Sequence, residues 1–275
     1  MSHAISVNQL AKQLNDTVVI DCRFNLMDPE QGHGLYNDSH ITGAHYLHLE
    51  DDLSSAVGQH GGRHPLPDIQ VLVSTLQGIG VSNDGPVVVY DDNRQAFASR
   101  LWWLLRYLGH EQVSVLDGGF AAWQAAGLAS DAITPSRLEG GQFVPQIDES
   151  QLFTLAQVRE CAAGRGLATL VDAREAPRYR GEVEPIDPVA GHIPGAINMP
   201  WVDVCDEQNM LRPVEWHKQR WQAYADQPLA VYCGSGVTAC VDLLSLALAG
   251  HDHAQLYAGS WSDWCSYPEH EIARA

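Results

Sequence analysis

The sequence predicts an α/β protein made of two tandem copies of one domain, each with a central parallel sheet flanked by helices. Three observations lead there. The chain has 275 residues, and at about 150 residues per domain that length suits two domains. Apolar runs of four to six residues rich in Val, Ile and Leu read as strands buried on both faces, the mark of a parallel sheet. The chain also repeats itself in order, which is the signature of duplication.

The repeat can be followed element by element. Val18–Arg23 (Val-Val-Ile-Asp-Cys-Arg) returns as Thr169–Arg174 (Thr-Leu-Val-Asp-Ala-Arg), and His40–Ala44 returns as His192–Ala196. The run Val87–Tyr90 returns as Leu229–Tyr232, Gly109 as Gly250, and Gly118–Trp123 as Gly259–Trp264, with offsets drifting only between 152 and 141. Val237, Val241, Leu244 and Leu248 give one apolar helix face closed by Gly250 as C-cap, and Arg100–Leu108 closed by Gly109 repeats the design. Thr134–Pro145 has two prolines, a Gly-Gly pair and no apolar period, so it reads as a linker. The expected boundaries are 1–135 for the first domain, 136–149 for the linker and 150–275 for the second domain.

Composition narrows the function. Hydrophobic residues make up 45% and charged residues 18%, which excludes disorder, collagen and coiled coil. The net charge of −18 repels nucleic acid and anionic membrane, so neither is an expected partner, and an anionic substrate has to meet a local Arg cluster. Met1–Leu10 lacks a basic and apolar leader, and no stretch has the length of a membrane span, so a cytoplasmic location is the expectation. The six cysteines, at 22, 161, 205, 233, 240 and 265, form no Cys-x-x-Cys pair and read as reduced thiols.

The two copies differ at one telling place. After the strand Leu229–Tyr232 the second copy reads Cys233-Gly234-Ser235-Gly236-Val237-Thr238-Ala239-Cys240, where the first has Asp91 at the position of Cys233. A Gly-rich strand-to-helix turn lets backbone N–H groups converge at a helix N-terminus, which stabilises a thiolate and holds an anion. Ligands of parallel sheets gather beyond the carboxyl ends of strands, where Cys233 falls. The other cysteines read as small buried apolar residues. Two glycines in three residues cost chain entropy without adding core, so Cys233 stands apart as a nucleophile. A carboxylate cannot carry sulfur, and the first copy reads as retained for packing and for shaping the cleft.

Three rival readings fail. Gly234-x-Gly236-x-x-Ala239 matches a dinucleotide fingerprint, but too little chain follows for the second half of a nucleotide fold. A cysteine phosphatase needs an Arg closing the loop, where Ala239 stands. His60 and His64 lie at helical spacing but have no Cys or His-Glu-x-x-His to complete a zinc site.

The chain resembles the two-domain rhodanese-type sulfurtransferases over nearly its whole length. Cys233–Ala239 is similar to the loop of the 3-mercaptopyruvate branch, whereas the thiosulfate branch tends to carry basic residues after the cysteine. Gly191–Ala196 and Asp172-Ala173-Arg174 resemble the family's signature stretches. The resemblance implies tandem rhodanese-like α/β domains with an active cysteine only in the second. It implies a small anionic sulfur donor, Gly234, Gly236, Val237 and Thr238 around the transferred sulfur, and Arg178 on the donor carboxylate. A second Arg usually follows nine residues on; Asp187 stands there, a feature of thiosulfate enzymes, and Arg180 is the expected substitute.

His64-Pro65-Leu66-Pro67 resembles the segment that places a His on the loop serine, here Ser235, with an acidic partner among Glu50, Asp51 and Asp52. Ser235 is equally suited to capping the next helix, and His64 to a surface position beside prolines. His40-Ile41 and His192-Ile193 recur in both copies and read as fold-holding turns. The expected activity is transfer of sulfur from 3-mercaptopyruvate through a Cys233 persulfide to cyanide, a small thiol or a thioredoxin-like protein, with no cofactor or metal. Thiosulfate is the alternative donor, and a catalytically silent sulfur-relay or regulatory module is the alternative of another class.

Overall fold

The structure is a computed structural model that describes residues 2–135 and 140–275. The chain divides into two compact units. The first unit comprises 1–55, 67–148 and 205–211; the second comprises 56–66, 149–204 and 212–275.

The first unit carries a five-stranded sheet in the order Ala4–Ile5, Val113–Leu116, Val87–Tyr90, Val18–Asp21, His45–Tyr46, with every pairing parallel. The second unit repeats it with Gln255–Leu256, Leu229–Tyr232, Thr169–Asp172 and Ile197–Asn198, again all parallel. A single parallel bridge from Leu152 to Leu256 stands where the first unit has its edge strand. The central strands Val87–Tyr90 and Leu229–Tyr232 are buried at all four positions, as a strand covered on both faces requires. Aromatic side chains close each core: Phe120 and Trp123 pack on Val19, Val88 and Tyr90, and Trp261 and Trp264 pack on Leu170, Ala230 and Tyr232.

The helix after each central strand departs from a one-faced pattern. Ala239–Ala249 is buried from Ala239 through Ala247, because Val214–Trp221 packs on it as well as the sheet. Val237, expected on its apolar face, precedes it in the loop. Gly250 is its left-handed C-cap at φ +92°, and Gly109 serves Ala98–Tyr107 in the same way at φ +84°.

Three stretches depart from the expected boundaries, and the first is residues 205–211, expected in the second domain but belonging with the first unit. Residues 56–66 belong with the second unit: Gly61 N–H donates to Asp263 at 2.7 Å and Arg63 N–H to Ser262 at 3.1 Å. Of the described part of the expected linker, 140–149, all but Glu149 is anchored on the first unit. There Phe143 is buried, Gln77 donates to its carbonyl at 2.9 Å, and Asp148 N–H donates to the Tyr107 carbonyl at 2.9 Å. The rest of it, 136–139, lies outside the described residues.

Each Asp-x-Arg motif ends its strand in a buried ion pair. Arg23 clamps Asp21 with Nη2–Oδ2 at 2.6 Å and lies over Phe120; Arg174 clamps Asp172 at 2.6 Å and lies over Trp261. His40 and His192 stack on Tyr36 and Tyr179 and hydrogen-bond their carbonyls at 2.7 Å, so both histidines hold turns, in keeping with their recurrence in both copies.

Candidate active site

Cys233 lies at the carboxyl end of the strand Leu229–Tyr232 and is 1% exposed. Its loop is stitched to the turn that follows the edge strand. Cys233 N–H donates to Ser260 Oγ at 3.1 Å, Trp261 N–H to the Cys233 carbonyl at 2.9 Å, and Ser262 N–H to the Gly234 carbonyl at 2.9 Å. Ser260 holds this turn at φ +55°, a conformation that glycine, the counterpart Gly119, adopts in the first unit at +59°. Strain of this kind is kept where geometry matters.

The two loop glycines serve different needs. Gly236 has φ +77°, and a Cβ there would run into the carbonyl of Ala258, so only glycine fits. Gly234 lies outside the left-handed region; the nearest atoms a Cβ there would meet are guanidinium ends, Arg63 Nη2 at 3.1 Å and Arg178 Nη2 and Nη1 at 3.5 and 3.8 Å.

The backbone N–H groups of Ser235, Val237 and Thr238 donate to no protein acceptor among the described residues. The first unit shows where such amides point. Asp91, the counterpart of Cys233, is 1% exposed, and its carboxylate accepts from N–H of Asn93, Gln95, Phe97 and Ala98 at 2.7–3.1 Å. Burial pushes the Asp91 carboxyl up to about 6 against the pull of these amides. The loop is thus a cradle for an anion on the side chain at this position.

His64 and Ser235 come together within the second unit. His64 Nδ1 is 2.7 Å from Ser235 Oγ, and the two residues are 4% and 5% exposed. The surface alternative for His64 is therefore overturned, and Ser235 Oγ is hydrogen-bonded to the His64 ring while the helix that follows takes no side-chain cap from Thr238. Of the acidic residues expected beside His64, Asp52 accepts from His48 N–H at 2.7 Å and Asp51 lies 3.4 Å from the His48 ring.

Arg178, on the short helix Ala176–Tyr179, donates to both oxygens of Glu184 at 3.2 and 2.7 Å and to Asp187 at 3.4 Å. Asp187 also pairs with Arg63. Glu184 in turn accepts from Arg174 at 3.1 Å, so charges alternate from Asp172 through Arg174, Glu184, Arg178 and Asp187 to Arg63. Burial pushes the Glu184 carboxyl up, but Arg178 outweighs it and holds the group below the ordinary carboxylate range. At Asp187 burial wins over Arg63, and the carboxyl sits above that range. Arg180, expected as the second anchor, is spent elsewhere: its guanidinium pairs with Glu182 at 2.8 Å with both side chains exposed. Of the remaining cysteines, Cys22, Cys205 and Cys240 are buried as expected, whereas Cys161 and Cys265 are only half-buried.

Arg63, Glu184 and Ser260 were not evident from sequence. Arg63 had a signal, as a rare cation in an acidic chain beside His64. Ser260 had another, since the aligned residue of the first copy is a glycine.

Comparison with known proteins accords with this geometry. A rhodanese-like domain matches twice, at residues 6–126 and 155–267. A Pseudomonas aeruginosa protein named "Probable 3-mercaptopyruvate sulfurtransferase" is 48% identical over 277 residues, 98% of this chain and 97% of that protein. The Gallus gallus thiosulfate sulfurtransferase is 31% identical over 271 residues, 96% of this chain and 90% of that one. The crystal structure of SseA from Escherichia coli, described as a 3-mercaptopyruvate sulfotransferase with the rhodanese fold, superposes with a TM-score of 0.83. It is 31% identical, and the match covers 95% of this chain and 100% of that one. No helix among the described residues is long and apolar enough to cross a membrane. With two matched domains and relatives aligned from end to end, the chain belongs to the two-domain rhodanese-type sulfurtransferases.

Proposed function

We infer that the protein moves sulfur from 3-mercaptopyruvate to a nucleophilic acceptor through a persulfide on Cys233. The observation that carries this reading is the convergence on one loop of a thiol, a His64–Ser235 hydrogen bond and guanidinium groups at Gly234. The Cys233 thiolate attacks the donor sulfur; the S–S bond forms as the C–S bond breaks, and its electron pair leaves on carbon as the enolate of pyruvate. Sulfur is oxidised to the sulfane level and carbon is reduced, so no outside oxidant is needed. The donor thiol's proton passes by way of Ser235, polarised by His64, towards the enolate, giving pyruvate. Amides of Ser235, Val237 and Thr238, with the flexible backbone at Gly234 and Gly236, suit the persulfide anion. Arg178 holds the donor carboxylate. Cyanide, a small thiol or a reduced thioredoxin-like protein then removes the sulfur. The six free thiols suit a reducing compartment, and the cytoplasm is the compartment proposed.

A hydroxyl relay near sulfur suits a donor whose thiol carries a proton, and the loop lacks the positive side chains that thiosulfate would favour. The test measures kcat/KM for 3-mercaptopyruvate and thiosulfate with one acceptor, and maps the added sulfur by mass spectrometry. A preference of at least about tenfold for mercaptopyruvate, roughly 1.4 kcal/mol, with the label on Cys233, is expected. Equal rates, or a thiosulfate preference, would overturn the donor assignment, and release of neither pyruvate nor thiocyanate would indicate a silent relay module.

A further inference from the structure

We propose that the first unit binds a small apolar α-amino acid in a cavity at the carboxyl ends of two neighbouring strands, with the ligand carboxylate on Arg23 and its ammonium on Asp92. The cavity measures about 400 Å³ and is lined by residues of this unit alone. Arg23 follows the strand Val18–Asp21 and Asp92 follows its parallel neighbour Val87–Tyr90, so the site falls where a parallel sheet gathers ligands.

The two copies treat the same guanidinium differently. In the second unit Arg174 clamps Asp172, donates Nη2 to the Gly191 carbonyl at 2.7 Å, and gives its last nitrogen, Nη1, to the buried Glu184 at 3.1 Å. In the first unit Arg23 clamps Asp21 and donates Nη2 to the Ser39 carbonyl at 2.7 Å, so the first two contacts are kept. The third is missing. Arg23 Nη1 has no hydrogen-bond acceptor among the described residues, and the Asp92 carboxylate stands 3.8 Å from it. The Arg23 side chain is 5% exposed, and a guanidinium held out of water with a nitrogen unpaired is costly until an acceptor arrives. The second unit supplies that acceptor from its own chain, whereas in the first this side chain borders the cavity.

Asp92 decides what kind of anion fits. Its Oδ1 accepts from Ala121 N–H at 2.8 Å, and its Oδ2 is the oxygen toward Arg23. A lone carboxylate entering beside Arg23 meets the repulsion of Asp92, and a lone amine beside Asp92 leaves Arg23 Nη1 unpaired. A molecule with both charges a short distance apart satisfies the two together, and an α-amino acid is a small molecule built that way. No other lining residue is charged, so the ligand's side chain has to be neutral. The walls make it apolar: Phe24 and Phe97 pack edge to face at 5.3 Å, and the exposed Leu26 and Leu35 line the cavity with them.

The test is calorimetric titration of the full chain with L-leucine, with 4-methylpentanoate, which is leucine without its ammonium, and with 3-methylbutylamine, which is leucine without its carboxylate. L-leucine should bind one to one with a Kd below about 1 mM, and each analogue at least about tenfold more weakly. Asp92→Asn keeps an oxygen for Ala121 N–H; it should weaken L-leucine about tenfold and leave 4-methylpentanoate unchanged or tighter. Should Asp92→Asn lower the melting temperature, Leu35→Trp decides instead, because it narrows the cavity from an exposed position without touching the Arg23 clamp. A loss of about tenfold in L-leucine affinity supports the proposal there and an unchanged Kd overturns it. Backbone amide NMR shifts on adding L-leucine should move at Phe24, Leu26 and Asp92. Binding of 4-methylpentanoate as tight as that of L-leucine, no heat with L-leucine at roughly ten times the expected Kd, or shifts centred on Cys233 would each overturn the assignment. Neither readout involves sulfur transfer, so the outcome stands whatever Cys233 does.

Discussion

Replacing each loop glycine by alanine separates a residue that leaves room for the donor from one that shapes the backbone. At Gly236 the methyl group would be forced into φ +77° and against the Ala258 carbonyl. The left-handed conformation costs an L-residue about 1–2 kcal/mol, and overpacking against a buried backbone adds about 1–3 kcal/mol. Gly236→Ala should therefore lose roughly 2–5 kcal/mol of stability of the second unit and most of its activity. At Gly234 the backbone tolerates alanine, and the nearest atoms are movable guanidinium ends at 3.1 and 3.5 Å. Gly234→Ala should leave the melting curve in place, or raise it slightly through the stiffer unfolded chain, worth about 0.4–1 kcal/mol. Its methyl group nonetheless occupies the space beside the guanidinium ends, where the donor carboxylate is proposed to sit. Loss of one charge-assisted hydrogen bond to the donor is worth about 1.5–3 kcal/mol, which corresponds to a KM raised roughly ten- to a hundredfold. Circular-dichroism melts and pyruvate release read the two effects separately. A KM for Gly234→Ala within twofold of the wild type, or a Gly236→Ala protein as stable and active as the wild type, would refute the division of roles.

Ser235→Ala should slow turnover of 3-mercaptopyruvate by about a hundredfold or more while slowing thiosulfate transfer little, because only the former has a thiol proton to move. His64→Ala should match it, and the double variant should be no worse than either, since the two side chains act as one hydrogen-bonded unit; equal losses with both donors would refute the relay. Asp242, buried beside Arg220 and with Oδ2 lacking a hydrogen-bond partner among the described residues, is raised by burial from 3.8 to about 7. A folded-state value above the unfolded one makes wild-type stability fall as pH rises through that window, so the stability of Asp242→Asn relative to wild type should improve by roughly 3 kcal/mol between pH 5 and pH 8, read by denaturant melts.

Most of the fold was legible because it rests on local signals. Leu229–Tyr232 is a strand of four apolar residues with all four buried, and the Gly-rich run after it is a tight turn into a helix. The Asp-x-Arg repeat marked both strand ends, and through them Arg178. What the sequence concealed depends on contacts across long stretches of chain. Gly61 meets Asp263 over a separation of 202 residues, which no periodicity encodes, so residues 56–66 and with them Arg63 looked like part of the first domain. The helix Ala239–Ala249 looked one-faced because the spacing of Val237, Val241, Leu244 and Leu248 marks one apolar stripe and carries no information about what packs on the opposite side. In the fold Ser245 bonds His217 and Trp221, and Asp242 bonds Arg220. Arg180 failed as an anchor for a local reason: Glu182, two residues on, captures it in an exposed pair.

The two copies of the loop also explain why only one can work. A loop whose amides converge on one side chain needs an acceptor there, because each buried unpaired donor costs about 1–3 kcal/mol. In the first unit Asp91 is that acceptor, and its two oxygens take all four amides, so the cradle is filled by the protein itself. A cysteine sulfur is too weak an acceptor to do this in the resting state. With Cys233 the amides of Ser235, Val237 and Thr238 remain available to the anionic sulfur chain proposed for that residue. The residue that stabilises the loop without substrate is thus the one that abolishes its chemistry. The catalytic copy keeps the less satisfied loop and compensates by tying it to the turn at Ser260, a turn that Gly61 and Arg63 in their own right hold at Asp263 and Ser262.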